Sequence, residues 1–142
     1  MVTDIRQRLV GEHPSLALGT VVAVGGATAA LLVPFGLLEV GMSGVIGTSA
    51  VALAFGGVPF VAGGLSGWCR LGVLTAVGSG IAPGGTFYLV VAIGAALGIG
   101  SFGGGDSPLG PFALTVTIPS LGAAAVGFIL PVVARRVHGF GS

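Results

Sequence analysis

Very few side chains in this sequence could do chemistry, and their positions narrow what that chemistry could be. Between Pro14 and Ala134 only Glu39, Arg70 and Asp106 carry charge. A carboxylate held deep in an apolar medium is costly and marks a proton or cation path, whereas one at the edge is simply solvated. Glu39 closes an apolar run, so its place is the edge. Arg70 suits a topology anchor that meets lipid phosphate. Cys69 is the sole cysteine, which rules out an internal disulfide or a cysteine metal pair and leaves it as a small packing residue. His13 and His138 lie in the polar ends, where they cannot clasp a haem within the apolar runs. Nucleophilic chemistry needs a base beside a serine, or paired aspartates, and no base is available at depth. The sequence therefore does not read as an enzyme and calls for no cofactor or metal. The polar groups left at mid-depth are the hydroxyls of Thr28, Thr48, Ser49, Thr75, Ser79 and Thr86, too few and too weak to specify a substrate.

Two glycine motifs need their structural context. Gly98-Ile99-Gly100-Ser101-Phe102-Gly103 fits G-x-G-x-x-G, which cradles pyrophosphate only between a strand and a helix. Here it ends an apolar run, and one residue in five is glycine, so the match carries no nucleotide site. Thr75-Ala76-Val77-Gly78-Ser79-Gly80 is similar to the carbonyl-lined filter of potassium channels, but alanine interrupts it, serine replaces the aromatic residue and no separate pore helix precedes it. A glycine-rich packing helix explains the same residues.

The elements that hold these residues follow from composition. The chain has 142 residues, 54% hydrophobic and 6% charged, with a mean hydropathy of +1.11. A soluble domain is roughly 25% charged, so the expected solvent is the lipid bilayer. At about 20 residues per crossing, four or five spans fill the chain. The net charge of +1 and the lack of a clustered basic face exclude a nucleic-acid partner. The fold expected is an all-α polytopic membrane bundle, with residues 1–14 as an N-terminal segment, 15–134 as the bundle and 135–142 as a tail.

Span one is expected over Ser15–Leu38, too long for a signal-peptide core, with Pro14 at its start. Span two is expected over Gly44–Gly64 and the last over Pro111–Ala134. Gly103-Gly104-Gly105-Asp106-Ser107-Pro108 reads as a turn. The stretch Leu71–Phe102 would measure about 48 Å as one helix, against a hydrocarbon layer of about 30 Å. Pro83-Gly84-Gly85 inside it predicts a third span broken near Pro83; a five-span alternative makes that tripeptide an aqueous turn. Arginine placement favours four. Arg6, Arg8, Arg70, Arg135 and Arg136 then share one side, and the excess of positive charge in short cytoplasmic loops puts both termini in the cytoplasm of the cell membrane.

Glycine supplies the packing. In lipid, helices associate through close backbone contact at small residues four apart. Gly63 and Gly67 have that spacing, as do Gly94 and Gly98, and Ala123 and Gly127. Gly41, Gly44 and Gly47 recur every third residue. These faces predict either tight packing of the bundle or contacts in a homo-oligomer or larger membrane complex.

Gly63-Gly64-Leu65-Ser66-Gly67-Trp68, followed by Arg70, Gly72 and Leu74, resembles small multi-pass membrane proteins of haloarchaea. The resemblance covers the middle third of the chain. It implies four spans and no assigned activity; the scarcity of acidic residues departs from the haloarchaeal habit. Two functions are carried forward. One is a structural or accessory membrane subunit that packs through glycine-rich faces. The other is a small oligomeric channel or transporter with its site at the broken third segment, lined by Thr75, Ser79 and Thr86.

Overall fold

The structure, a computed structural model, describes residues 9–37, 45–99 and 109–139. Every element among them is helical: α1 (Pro14–Leu37), α2 (Val45–Ala52), a π-turn (Leu53–Gly57), α3 (Val58–Trp68), α4 (Val73–Leu97) and α5 (Leu109–Gly139). α2, the π-turn and α3 form one continuous rod, so four helices are long and apolar enough to cross a membrane. Among the described residues the all-α bundle has four such helices, not five.

α1 starts one residue earlier than expected, at Pro14, where the missing amide would have been unpaired in any case. The amide of Ala17 donates to the His13 carbonyl at 3.0 Å, closing the first turn. The first and third spans run parallel in contact, with Val21 beside Gly78 and Thr86 beside Gly25. The second and fourth also run parallel in contact, whereas the third meets the fourth antiparallel. An apolar core cluster gathers Leu32, Ala54 and Phe55, flanked by Leu31, Val51, Phe87 and Val116. Phe87 makes an edge contact with Phe55 at 6.1 Å and a tilted one with Phe112 at 5.3 Å.

The predicted break near Pro83 is not there. α4 is continuous through Pro83 for 25 residues, about 37 Å at 1.5 Å per residue, an excess over the hydrocarbon layer that helix tilt absorbs. The stretch is shorter than the sequence implied because Leu71 and Gly72 belong to the preceding loop and Gly98 ends the helix in the left-handed conformation (φ 62°). Packing explains the continuity. Gly80 and Gly84, one turn apart, both face α5: a Cβ on Gly80 would lie 2.8 Å from Leu121 Cα, and one on Gly84 would overlap the Thr117 hydroxyl. Helical spacing over this turn presents both glycines to the same neighbour.

The irregular backbone is in the second span instead. Pro59 has no amide to offer the Phe55 carbonyl four residues earlier. Just ahead of it the helix widens into the π-turn, where the Val58 amide donates to Leu53, five residues back. Ser120 Oγ, from α5, donates to the Phe55 carbonyl at 2.8 Å and shares its proton with Val116 of its own helix, also at 2.8 Å.

Candidate functional site

The residues that could carry function fall in three places: a charged end, a buried row of hydroxyls on α4, and two apolar grooves on the outside.

At the charged end, the loop after α3 turns through Cys69 and Arg70, and Arg70 adopts φ 54°, rare for a residue with a side chain. Gly72 follows at φ 89° and Gly11 sits against it at φ 81°. Both must be glycine, because a Cβ on Gly11 would overlap the Leu71 carbonyl and one on Gly72 the Leu9 carbonyl. The Glu12 amide donates to the Arg70 carbonyl at 3.4 Å, and the Glu12 carboxylate lies 3.9 Å from the Arg70 guanidinium. Arg135, near the end of α5, reaches across to the last turn of α3. Its guanidinium donates to the Trp68 carbonyl at 3.2 Å and to the Gly67 carbonyl, satisfying helix-terminal acceptors with positive charge. Residues 9–13, the Arg70 loop and Arg135 are thus one assembly. Arg136 is exposed beside it. Arg6 and Arg8 lie outside the described residues, as do Glu39, Asp106 and the 103–108 turn. The expected tail from residue 135 continues α5 as helix to Gly139.

Thr75 and Ser79 lie buried on one face of α4. Thr75 Oγ1 donates to the Leu71 carbonyl at 2.6 Å. Ser79 Oγ is the one buried side-chain polar atom among the described residues without a hydrogen-bond partner, and its backbone carbonyl is the one that Pro83 cannot serve. Thr86 is half-buried and faces α1 at Gly25. Thr28 and Ser66 are buried and donate to Val24 and Ala62 of their own helices, at 2.9 and 2.7 Å.

The glycine pairs divide. A Cβ on Gly63 would overlap the Ala124 carbonyl, one on Gly67 would press on the Phe128 carbonyl and Pro131, and one on Gly127 would overlap the Phe60 carbonyl. These positions hold the second span against the fourth within one chain, so the Gly63/Gly67 face is not open to a second copy. Gly94 is buried, and Gly98 caps α4 by donating to Ala95 and Gly94. Gly41 and Gly44 lie outside the described residues. Gly80 and Gly84, which hold the third span to the fourth, have the same four-residue spacing; attention to Pro83 as a breaker hid it.

Both grooves are apolar. One, about 380 Å³, runs between α1 and the second span, with Thr20, Val24, Leu53, Gly57, Val61 and Leu65 in its walls. The other, about 370 Å³, lies between α4 and α5, bounded by Ala76, Val77, Leu121 and Phe128. No group of three or more His, Cys, Asp or Glu side chains gathers among the described residues. No family model, curated protein or solved structure matches the chain.

Proposed function

We propose that this chain is a structural or accessory subunit of the cell membrane, with both termini cytoplasmic, associating with further copies of itself or with a larger complex. One observation carries the reading: apart from Ser79, the buried polar side chains described are all bonded to backbone carbonyls of the bundle. Ser120 and Arg135 cross between spans to backbone carbonyls, and Thr28, Ser66 and Thr75 bind carbonyls of their own helices. The outward face of α1 supports association. Gly19, Gly26 and Ala30 are exposed along it at helical spacing, and nothing lies within 4 Å of a Cβ on Gly19 or Gly26. A small-residue face of this kind admits a neighbouring helix closely.

The test is the mass of the particle extracted with native lipid, measured with Gly26→Leu beside the parent chain. An oligomer or stable complex that Gly26→Leu weakens supports the proposal. A monomer with or without the substitution refutes it.

The transport reading keeps one point of support, the unpartnered Ser79 hydroxyl beside the carbonyl that Pro83 leaves free. Ion flux through proteoliposomes of the purified chain, abolished by Ser79→Ala, would establish that reading and displace the first.

A further inference from the structure

We propose that the groove between α1 and the second span holds one hydrocarbon chain of an anionic lipid, with the lipid phosphate at Arg70.

The length of the groove and the charge beyond its end choose the occupant. From Leu53 to Leu65 the groove follows the second span for about 18 Å at 1.5 Å per residue. That is close to one leaflet of a hydrocarbon layer about 30 Å thick. The groove's volume is about 380 Å³. Its length suits a single extended alkyl or isoprenoid chain lying along the groove.

The lining has the matching chemistry. Thr20 turns its hydroxyl to the Leu16 carbonyl at 2.8 Å, and the remaining wall is aliphatic. The π-turn shapes the far end through Leu53 and Gly57. A Cβ on Gly57 would press to 2.9 Å from Leu53 Cδ1, so glycine there keeps the groove open.

The near end supplies the charge. The Cys69 amide bonds the Leu65 carbonyl at 2.8 Å, which places the Arg70 turn one helical turn beyond the groove's last wall residue. The Arg70 side chain is 69% exposed, and its contact with Glu12 is long at 3.9 Å. Guanidinium has five donors, so it can hold a phosphate while keeping Glu12 nearby. Trp68, exposed beside it, has the amphipathic ring that favours the headgroup level. Chain and phosphate are thus offered sites in the order in which one lipid presents them.

The experiment is native mass spectrometry of the full chain in nonionic detergent, titrated with phosphatidylglycerol or phosphatidylcholine bearing the same acyl chains. Phosphatidylglycerol is expected to be retained about fivefold better. Val61→Trp, which fills the groove from its exposed wall, should lower retention of both lipids about tenfold. Arg70→Gln should erase the headgroup preference and leave chain retention in place. Circular dichroism checks that each variant keeps its helicity; if Val61→Trp does not, Thr20→Phe on the opposite wall takes its place. Gly26→Leu separates this proposal from the self-association reading, because it should reduce oligomers without changing lipid retention. Equal retention of the two lipids by the parent chain, or unchanged retention when the groove is filled, would overturn the proposal. So would loss of an oligomer on filling the groove with lipid retention unaltered, since the groove would then belong to a second copy.

Discussion

At the scale of single residues, the bundle is held by a few donors placed where the backbone lacks them. Pro59 leaves the Phe55 carbonyl without its helical amide, and Ser120 supplies a hydroxyl at 2.8 Å. Hydrogen bonds between membrane helices contribute about 0.6 kcal/mol on average and reach about 1.7. Ser120→Ala should destabilise the protein by about 1 kcal/mol, read as an earlier midpoint on unfolding from mild into denaturing detergent; an unmoved midpoint would mean that the Phe55 carbonyl does not depend on Ser120. Ser79 presents the opposite case. Its hydroxyl is buried without a partner, and such a group costs about 1–3 kcal/mol. Ser79→Ala should therefore be neutral or stabilising in the same titration, and a clear loss of stability would show that the hydroxyl has a bonded partner in the membrane. Arg135 caps two carbonyls at the end of α3. Arg135→Gln keeps some hydrogen-bonding capacity but loses the charge and the forked geometry, and should cost about 1 kcal/mol.

At the scale of elements, close helix contact decides which glycines matter. Gly127 meets the Phe60 carbonyl, whereas Gly122, on the same helix, has nothing within 4 Å of its Cβ position. Gly127→Leu should force α3 and α5 apart and cost at least the 1–3 kcal/mol of an overpacked core, while Gly122→Leu should leave thermal stability within about 0.5 kcal/mol. Equal effects of the two substitutions would refute the contact. The same contacts explain what the sequence could show. Membrane spans were legible because charge is excluded from each apolar run, and the placement of the arginines then favoured four over five, signals that need no tertiary knowledge. The break was misplaced because proline's lost hydrogen bond is a local property, while the compensation is not. Pro83 lies in a helix that stays continuous, with Gly80 and Gly84 packed against the fourth span. Pro59 lies in one that widens, with its freed carbonyl served by a serine 65 residues away. The Gly63/Gly67 spacing announced close packing, but spacing alone does not say whether the neighbour is the chain's own fourth span or another copy. The groove was not legible at all, since its walls come from α1 and the second span, with no sequence pattern linking them.

For the whole molecule, the charged end fixes the threading. Residues 9–13 lie against the Arg70 loop through Gly11, Gly72 and the Glu12–Arg70 contacts. Arg135 binds the end of α3 that leads into that same loop. The beginning and the end of the described chain therefore lie at one end of the bundle, as an even number of crossings requires. Arg70, Arg135 and Arg136 are the basic residues described, and Arg70 and Arg135 both belong to this end. Lys and Arg near span ends are retained in the cytoplasm during insertion, so this end is expected to face inward. Reporter fusions at either terminus, one active only in the cytoplasm and one only outside, should both report the cytoplasm. A stricter form of the test uses Cys69, the single cysteine, which is exposed in the same loop. In right-side-out cells or vesicles, a membrane-impermeant thiol reagent should leave Cys69 unlabelled until the bilayer is opened, whereas a permeant reagent should label it at once. Labelling of Cys69 from outside would invert the orientation while preserving four spans. Termini on opposite sides would remove the four-span threading itself, and with it the shared end that the Gly11–Gly72 contact and the Arg135 cap require.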